Sequence, residues 1–98
     1  MKVRILPSAL EDLSEGGVFY ERQDEGLGAY FLDTLFSEID SLALYAGIHR
    51  KVFGFHRLLS RRFPYAVYYR TSEAGIVEVW RVLDCRQNPK KTSRSLKS

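Results

Sequence analysis

Polar and apolar residues alternate along Lys2–Leu6 (KVRIL), the two-residue period of a short strand that Pro7 is expected to end. Ser8-Ala9-Leu10-Glu11 then has the S-x-x-E form of a capping box, with Ser8 accepting from a backbone N–H and Glu11 reaching back. Leu10, Leu13, Gly17 and Tyr20 follow at helical spacing, which predicts a helix from Ala9 to Arg22. Gly16-Gly17 inside it costs about 1 kcal/mol per glycine relative to alanine, so the pair marks close packing or a kink. After a turn at residues 24–28, Leu32, Leu35, Phe36, Ile39, Leu42, Ala43 and Ala46 mark the stripe of a second helix ending at Gly47. Beyond Gly47 the period shortens. Val52–Leu59, Phe63–Arg70 and Ile76–Leu83 read as three strands joined by a basic turn at residues 60–62 and a turn at residues 71–75. Short connections make these an antiparallel meander. The expected fold class is α+β, in the order β-α-α-β-β-β. A helical hairpin packs on one face of an antiparallel sheet and leaves the other face open. Residues 87–98 are read as a short helix or a partly disordered tail.

Ninety-eight residues form one domain, and the thirteen aromatics are expected to dominate its core. Charge sharpens the picture. Residues 1–49 hold three Lys/Arg against nine Asp/Glu, whereas residues 50–98 hold twelve against three. The net +3 therefore hides an acidic helical half and a basic strand-rich half, the pattern of a surface built for an anionic partner. No run approaches the ~20 apolar residues of a membrane span. The opening MKVRILPSALEDL turns acidic before any apolar run develops, unlike a signal peptide. A cytoplasmic protein without membrane contact is expected. The single cysteine, Cys85, suits a reducing compartment and is read as a small buried residue.

Chemistry-bearing patterns are few. His49 and His56 lack a Cys or carboxylate at ligand spacing, and Gly26-Leu27-Gly28 lacks the strand and Lys of a phosphate loop, so neither metal nor cofactor is expected. The arginines remain. Arg57, Arg61, Arg62, Arg70, Arg81 and Arg86 all fall in the strands or their turns, where a twisted sheet could gather several on one concave face. Guanidinium groups grip phosphate bidentately, and Tyr or Trp beside them could stack on unpaired bases. A merely solvated basic surface is the competing reading. His56 is a candidate general base, although a strand histidine is more often a surface or interface residue. Asp84, two residues from Arg86, is read as orienting an arginine rather than transferring protons.

The stretch RRFPYAVYYR (61–70) followed by VEVWRVLDCRQNP (77–89) resembles the toxins of the RelE/ParE superfamily, often labelled plasmid stabilisation proteins. The front of the chain agrees, with a short strand, then Ala9, Asp12 and Leu13 in an A-x-x-D-L pattern and the pair Phe19-Tyr20. The resemblance implies the toxin of a type II toxin–antitoxin pair, bound by a cognate antitoxin in a hetero-oligomer. Some members cleave mRNA in the ribosome; others inhibit DNA gyrase without being nucleases. Nuclease members are implied to use arginines and lysines on the scissile phosphate, with a Tyr or His near the C-terminus for proton transfer. Residues 87–98 contain neither, and Asp84 stands where many relatives carry His. If the chain is an enzyme, it is a metal-independent endoribonuclease working by 2′-hydroxyl attack, with Arg81, Arg86, His56 and Asp84 as its catalytic set. The missing proton-transfer residue and the Trp80–Leu83 (WRVL) form of the last strand favour the gyrase-directed branch. A non-toxic basic RNA- or protein-binding module is the remaining alternative.

Overall fold

A computed structural model of the chain describes residues 1–97. The elements are β1 (Val3–Ile5), α1 (Pro7–Glu21), α2 (Leu27–Asp40), α3 (Leu42–Tyr45), β2 (Lys51–Val52), β3 (Phe55–Leu59), β4 (Tyr65–Thr71), β5 (Val77–Asp84) and α4 (Pro89–Lys97). They build a five-stranded sheet in the order β1-β5-β4-β3-β2. The α+β class holds, with two refinements. β1 pairs in parallel with β5, while the other pairings are antiparallel. The strand expected over residues 52–59 is a hairpin, β2–β3, turning through Phe53 and Gly54. Both turn residues take positive φ (56° and 81°), the backbone demanded by a two-residue hairpin loop. Phe53 carries no sequence signal for such a conformation, which is why the turn was not legible.

Pro7 opens α1 rather than merely ending β1. It occupies the first helical turn, where its missing N–H removes a donor that would have no partner. Leu6 is the N-cap and no side chain caps it, so the expected capping box does not form. Ser8 instead donates its hydroxyl to the Trp80 carbonyl at 2.8 Å. The Gly16-Gly17 pair is a site of close packing, and α1 runs through it unbroken. A Cβ on Gly16 would stand 2.6 Å from Cζ of Phe31. Gly28 in α2 returns the fit, since a Cβ there would stand 2.5 Å from the Gly17 carbonyl oxygen. The same approach caps α2: the Glu21 carboxylate at the end of α1 accepts from the N–H groups of Gly26 (3.0 Å) and Gly28 (2.9 Å). A carboxylate at a helix N-terminus satisfies orphan donors and complements the dipole.

The helices bury Ala9, Leu13, Phe31, Leu35 and Ile39 against Val67, Tyr69, Val77, Val79 and Val82 of the sheet. Tyr20, Phe31, Phe63 and Tyr65 interlock at one end of this layer, with ring centroids 4.9–6.1 Å apart. The opposite sheet face is not fully open. α4 lays Leu96 over Phe55, Ala66, Tyr68 and Leu83, with Val52 and Trp80 packed at the margin. The tail is therefore helical through Lys97, and Ser98 lies outside the described residues. Cys85 is exposed, contrary to the buried placement expected for it.

Candidate target-binding surface

The site begins with an irregularity in β5. Opposite β4, Tyr68 pairs with Arg81 but Tyr69 pairs with Val79, so Trp80 is an extra residue in a bulge. The bulge releases Trp80 to the α4 face beside Tyr68 and turns Arg81 along the sheet edge. β1 ends at Ile5, opposite Val79, leaving the outer edge of β5 bare beyond that point. α1 covers it. Ser8 takes the Trp80 carbonyl, and Asp12, buried at 8% exposure, accepts from the Val82 N–H at 2.9 Å. The same carboxylate holds Arg81 through Nε (2.7 Å) and Nη2 (2.8 Å) in a bidentate pair. Arg81 Nη1 donates to the Ser95 carbonyl of α4 at 3.2 Å. Arg81 thus ties α1, β5 and α4 together, and its hydrogen bonds to Asp12 raise its pKa above the ordinary arginine value.

Arg86 is also committed. Its Nε and Nη2 contact the Asp84 carboxylate at 3.0 and 2.8 Å, and its backbone N–H adds a third bond at 2.8 Å. These bonds hold the Asp84 carboxyl below the usual carboxylate range and raise Arg86 in turn. Asp84 orients an arginine, as its spacing suggested, and the arginine is Arg86. Asp12, Tyr65, Arg81, Asp84, Gln87 and Lys91 help to line a cleft of about 310 Å³ between α1, β5 and α4. The Tyr65 hydroxyl in it is pushed up to about 12 by burial, so it stays protonated near neutrality.

The six arginines do not share one face. Arg57 and Arg70 lie on the α4 side, where the Arg70 guanidinium sits 3.8 Å from the Phe55 ring centroid and 5.3 Å from that of Trp80. Arg61 and Arg62 occupy the β3–β4 turn beside α2. Glu38 of α2 accepts the Arg61 N–H at 2.9 Å, and the Arg62 guanidinium lies 5.9 Å from the Tyr30 ring. Four arginines thus remain outside ion pairs among the described residues, in two groups, while Arg81 and Arg86 are held by carboxylates.

His56 is part of a small network on β3 and β4. Its Nδ1 lies 2.7 Å from the His49 carbonyl, which can only accept, so Nδ1 carries a hydrogen. The ring stacks on buried Tyr69, with centroids 5.1 Å apart. The Tyr69 hydroxyl accepts from the Gly47 N–H at 2.9 Å and meets His49 Nδ1. Burial, with the His56 charge adding to it, lowers the His49 pKa below its ordinary value. His56 therefore stands on β3, separated by β4 from Arg81 and Asp84 on β5. Asp12 and Tyr69, which organise these two networks, were not singled out from sequence as site residues. The only pointer to Asp12 was its place in the A-x-x-D-L pattern.

A helical hairpin on a twisted five-stranded sheet, with a basic strand half, is the fold of the RelE/ParE-like toxins. A chain of the chromosomal ParDE TA system from P. aeruginosa is similar to it, with TM-score 0.74 over 84% of this chain and 92% of that one, at 19% identity. No curated protein matches significantly in sequence. The family model for the ParE toxin of the type II toxin–antitoxin system parDE matches residues 3–89, and the chain belongs to that family.

Proposed function

We propose that the chain is a toxin that acts by binding DNA gyrase, not by cutting RNA, and that a cognate antitoxin neutralises it. The observation that carries this reading is the state of the arginines a nuclease would need. Arg81 is held bidentately by Asp12, and Arg86 by Asp84. Phosphate would have to displace a fixed carboxylate at each, with the buried Asp12 left uncompensated at one of them. The Asp84 carboxylate is itself occupied by three hydrogen bonds from Arg86. His56, the remaining proton acceptor of the candidate set, lies on a different strand from both arginines. A toxin that works by occupying a protein surface needs none of these groups. Arg57 and Arg70, with the part-exposed Trp80 ring 5.3 Å from the Arg70 guanidinium, offer a basic patch for such a surface, seated on the buried Phe55 and Tyr68.

The test uses purified protein in two assays. Supercoiling by gyrase is expected to stall with increasing protein, while mRNA on translating ribosomes stays intact. Codon-phased cuts that vanish in Arg81→Ala and His56→Ala would establish the nuclease instead. In cells, induction is expected to arrest growth, and co-expression of the neighbouring small open reading frame is expected to restore it. Normal growth with abundant soluble protein would refute the toxin reading altogether.

A further inference from the structure

The outer edge of the sheet at β3 is only half covered. β2 is two residues long and pairs with Phe55 and His56 alone. One more contact follows, the Arg57 N–H donating to the Arg50 carbonyl at 2.9 Å. Ser60 donates inward to the Tyr65 carbonyl, so by alternation the Leu59 N–H and C=O point outward, as the Arg57 N–H does. No strand lies there. A bare strand edge is a template for another chain unless something blunts it. Here the guard is positive charge alone, and apolar surface lies bare beside it: Leu59 is 55% exposed, with Ile48 at 74% and Tyr45 at 56%. These three residues line a groove of about 640 Å³ together with Arg50, Arg57 and Arg61. No ion pair among the described residues engages any of these arginines. Glu38, whose buried Oε1 has no hydrogen-bond partner, borders the same groove.

We infer that this edge takes an extended acidic peptide, which adds a sixth strand beside β3. Its main chain would pair with the outward groups of Leu59. Its apolar side chains would cover Leu59, Ile48 and Tyr45, and its carboxylates would face Arg50, Arg57 and Arg61. Main-chain pairing supplies affinity and the alternate side chains supply specificity. Charge decides against a second copy of the chain as occupant. An antiparallel pairing of two such edges would bring both sets of arginines together, which is repulsive. The inference rests on the toxin–antitoxin reading, with the antitoxin as the chain that supplies this strand, and is independent of the toxin's target.

The test titrates the full chain with a ten-residue peptide of alternating Val and Glu and follows backbone amides by NMR. Saturable shifts are expected at Leu59 and its neighbours, with hydrogen exchange at the Leu59 amide slowed about tenfold or more. N-methylating alternate residues of the peptide separates strand pairing from simple charge attraction. Methylation on the parity facing β3 is expected to abolish binding, and methylation on the other parity to leave it. A Val/Lys peptide is expected not to bind, and Arg50→Glu with Arg61→Glu is expected to weaken the Val/Glu peptide at least about tenfold. Equal binding of both methylated forms, shifts confined to the α4 face, or concentration-dependent self-association through Leu59 would each overturn the inference. An antitoxin that binds tightly without perturbing Leu59 would overturn it too, while leaving the toxin–antitoxin reading intact.

Discussion

Asp12 answers three donors with one carboxylate: the Arg81 guanidinium twice over and the Val82 N–H. Asp12→Ala strands a partly buried cation and a buried amide together, so a loss of roughly 2–4 kcal/mol is expected. The check is the urea midpoint, which falls while the slope stays unchanged. Arg81→Ala alone also destabilises, and a double-mutant cycle is expected to show strong coupling between the two. This distinguishes a structural Arg81 from one reserved for phosphate. His49 carries a second prediction. Its pKa lies below the ordinary value in the folded chain, so in the window just below 6.5 the unfolded chain binds more protons. Stability is therefore fully present above that ordinary value and is lost as pH falls through the folded one. Urea unfolding between about pH 5 and 7 checks it, and His49→Gln is expected to remove that part of the slope.

At the scale of the elements, the α1–α2 contact depends on the absence of side chains at Gly16, Gly17 and Gly28. Gly28→Ala gains helix propensity of about 1 kcal/mol but drives a methyl into the Gly17 carbonyl, 2.5 Å away. Overpacking against backbone cannot relax by side-chain rotation, so a net loss of roughly 1–3 kcal/mol is expected in thermal or urea unfolding. The helices themselves were legible because their stripes are local. The α2 cap was not, since Glu21 belongs to the other helix and reaches Gly26 and Gly28 across the turn. α4 was legible only as a polar, basic tail that could be a short helix or partly disordered. Its Leu96 has meaning because Phe55, Ala66, Tyr68 and Leu83 assemble beneath it from three strands. Leu96→Ala is expected to cost about 2 kcal/mol and to raise the binding of an apolar dye.

Over the whole molecule, the acidic helical hairpin of α1 and α2 and the basic half formed by the later strands and α4 make one bipolar body. In the proposed pair, acidic segments of the antitoxin meet the basic half while its apolar side chains cover exposed toxin surface. Arg61→Ala with Arg62→Ala is expected to weaken the complex severalfold and to flatten its dependence on salt. Titration calorimetry across ionic strength checks this, and an unchanged affinity and salt slope would count against it.

By itself the sequence determined what depends on neighbours in the chain. The helical stripes, the alternation of the strands and the opposite charge of the two halves all follow from spacing and composition. The order of elements and the motifs at residues 61–70 and 77–89 sufficed to place the chain in its superfamily. Which arginines remain available was decided only in three dimensions. Asp12 meets Arg81 across 69 positions because a bulge at Trp80 turns one side chain to the edge that β1 leaves bare. A carboxylate lowers its energy by taking the nearest donors in space, and sequence spacing holds no measure of that distance. The exposed edge at Leu59 has the same origin. It exists because the chain joins the sheet only at Lys51, so that β3, running on from the turn at Phe53 and Gly54 to Leu59, outruns the start of β2.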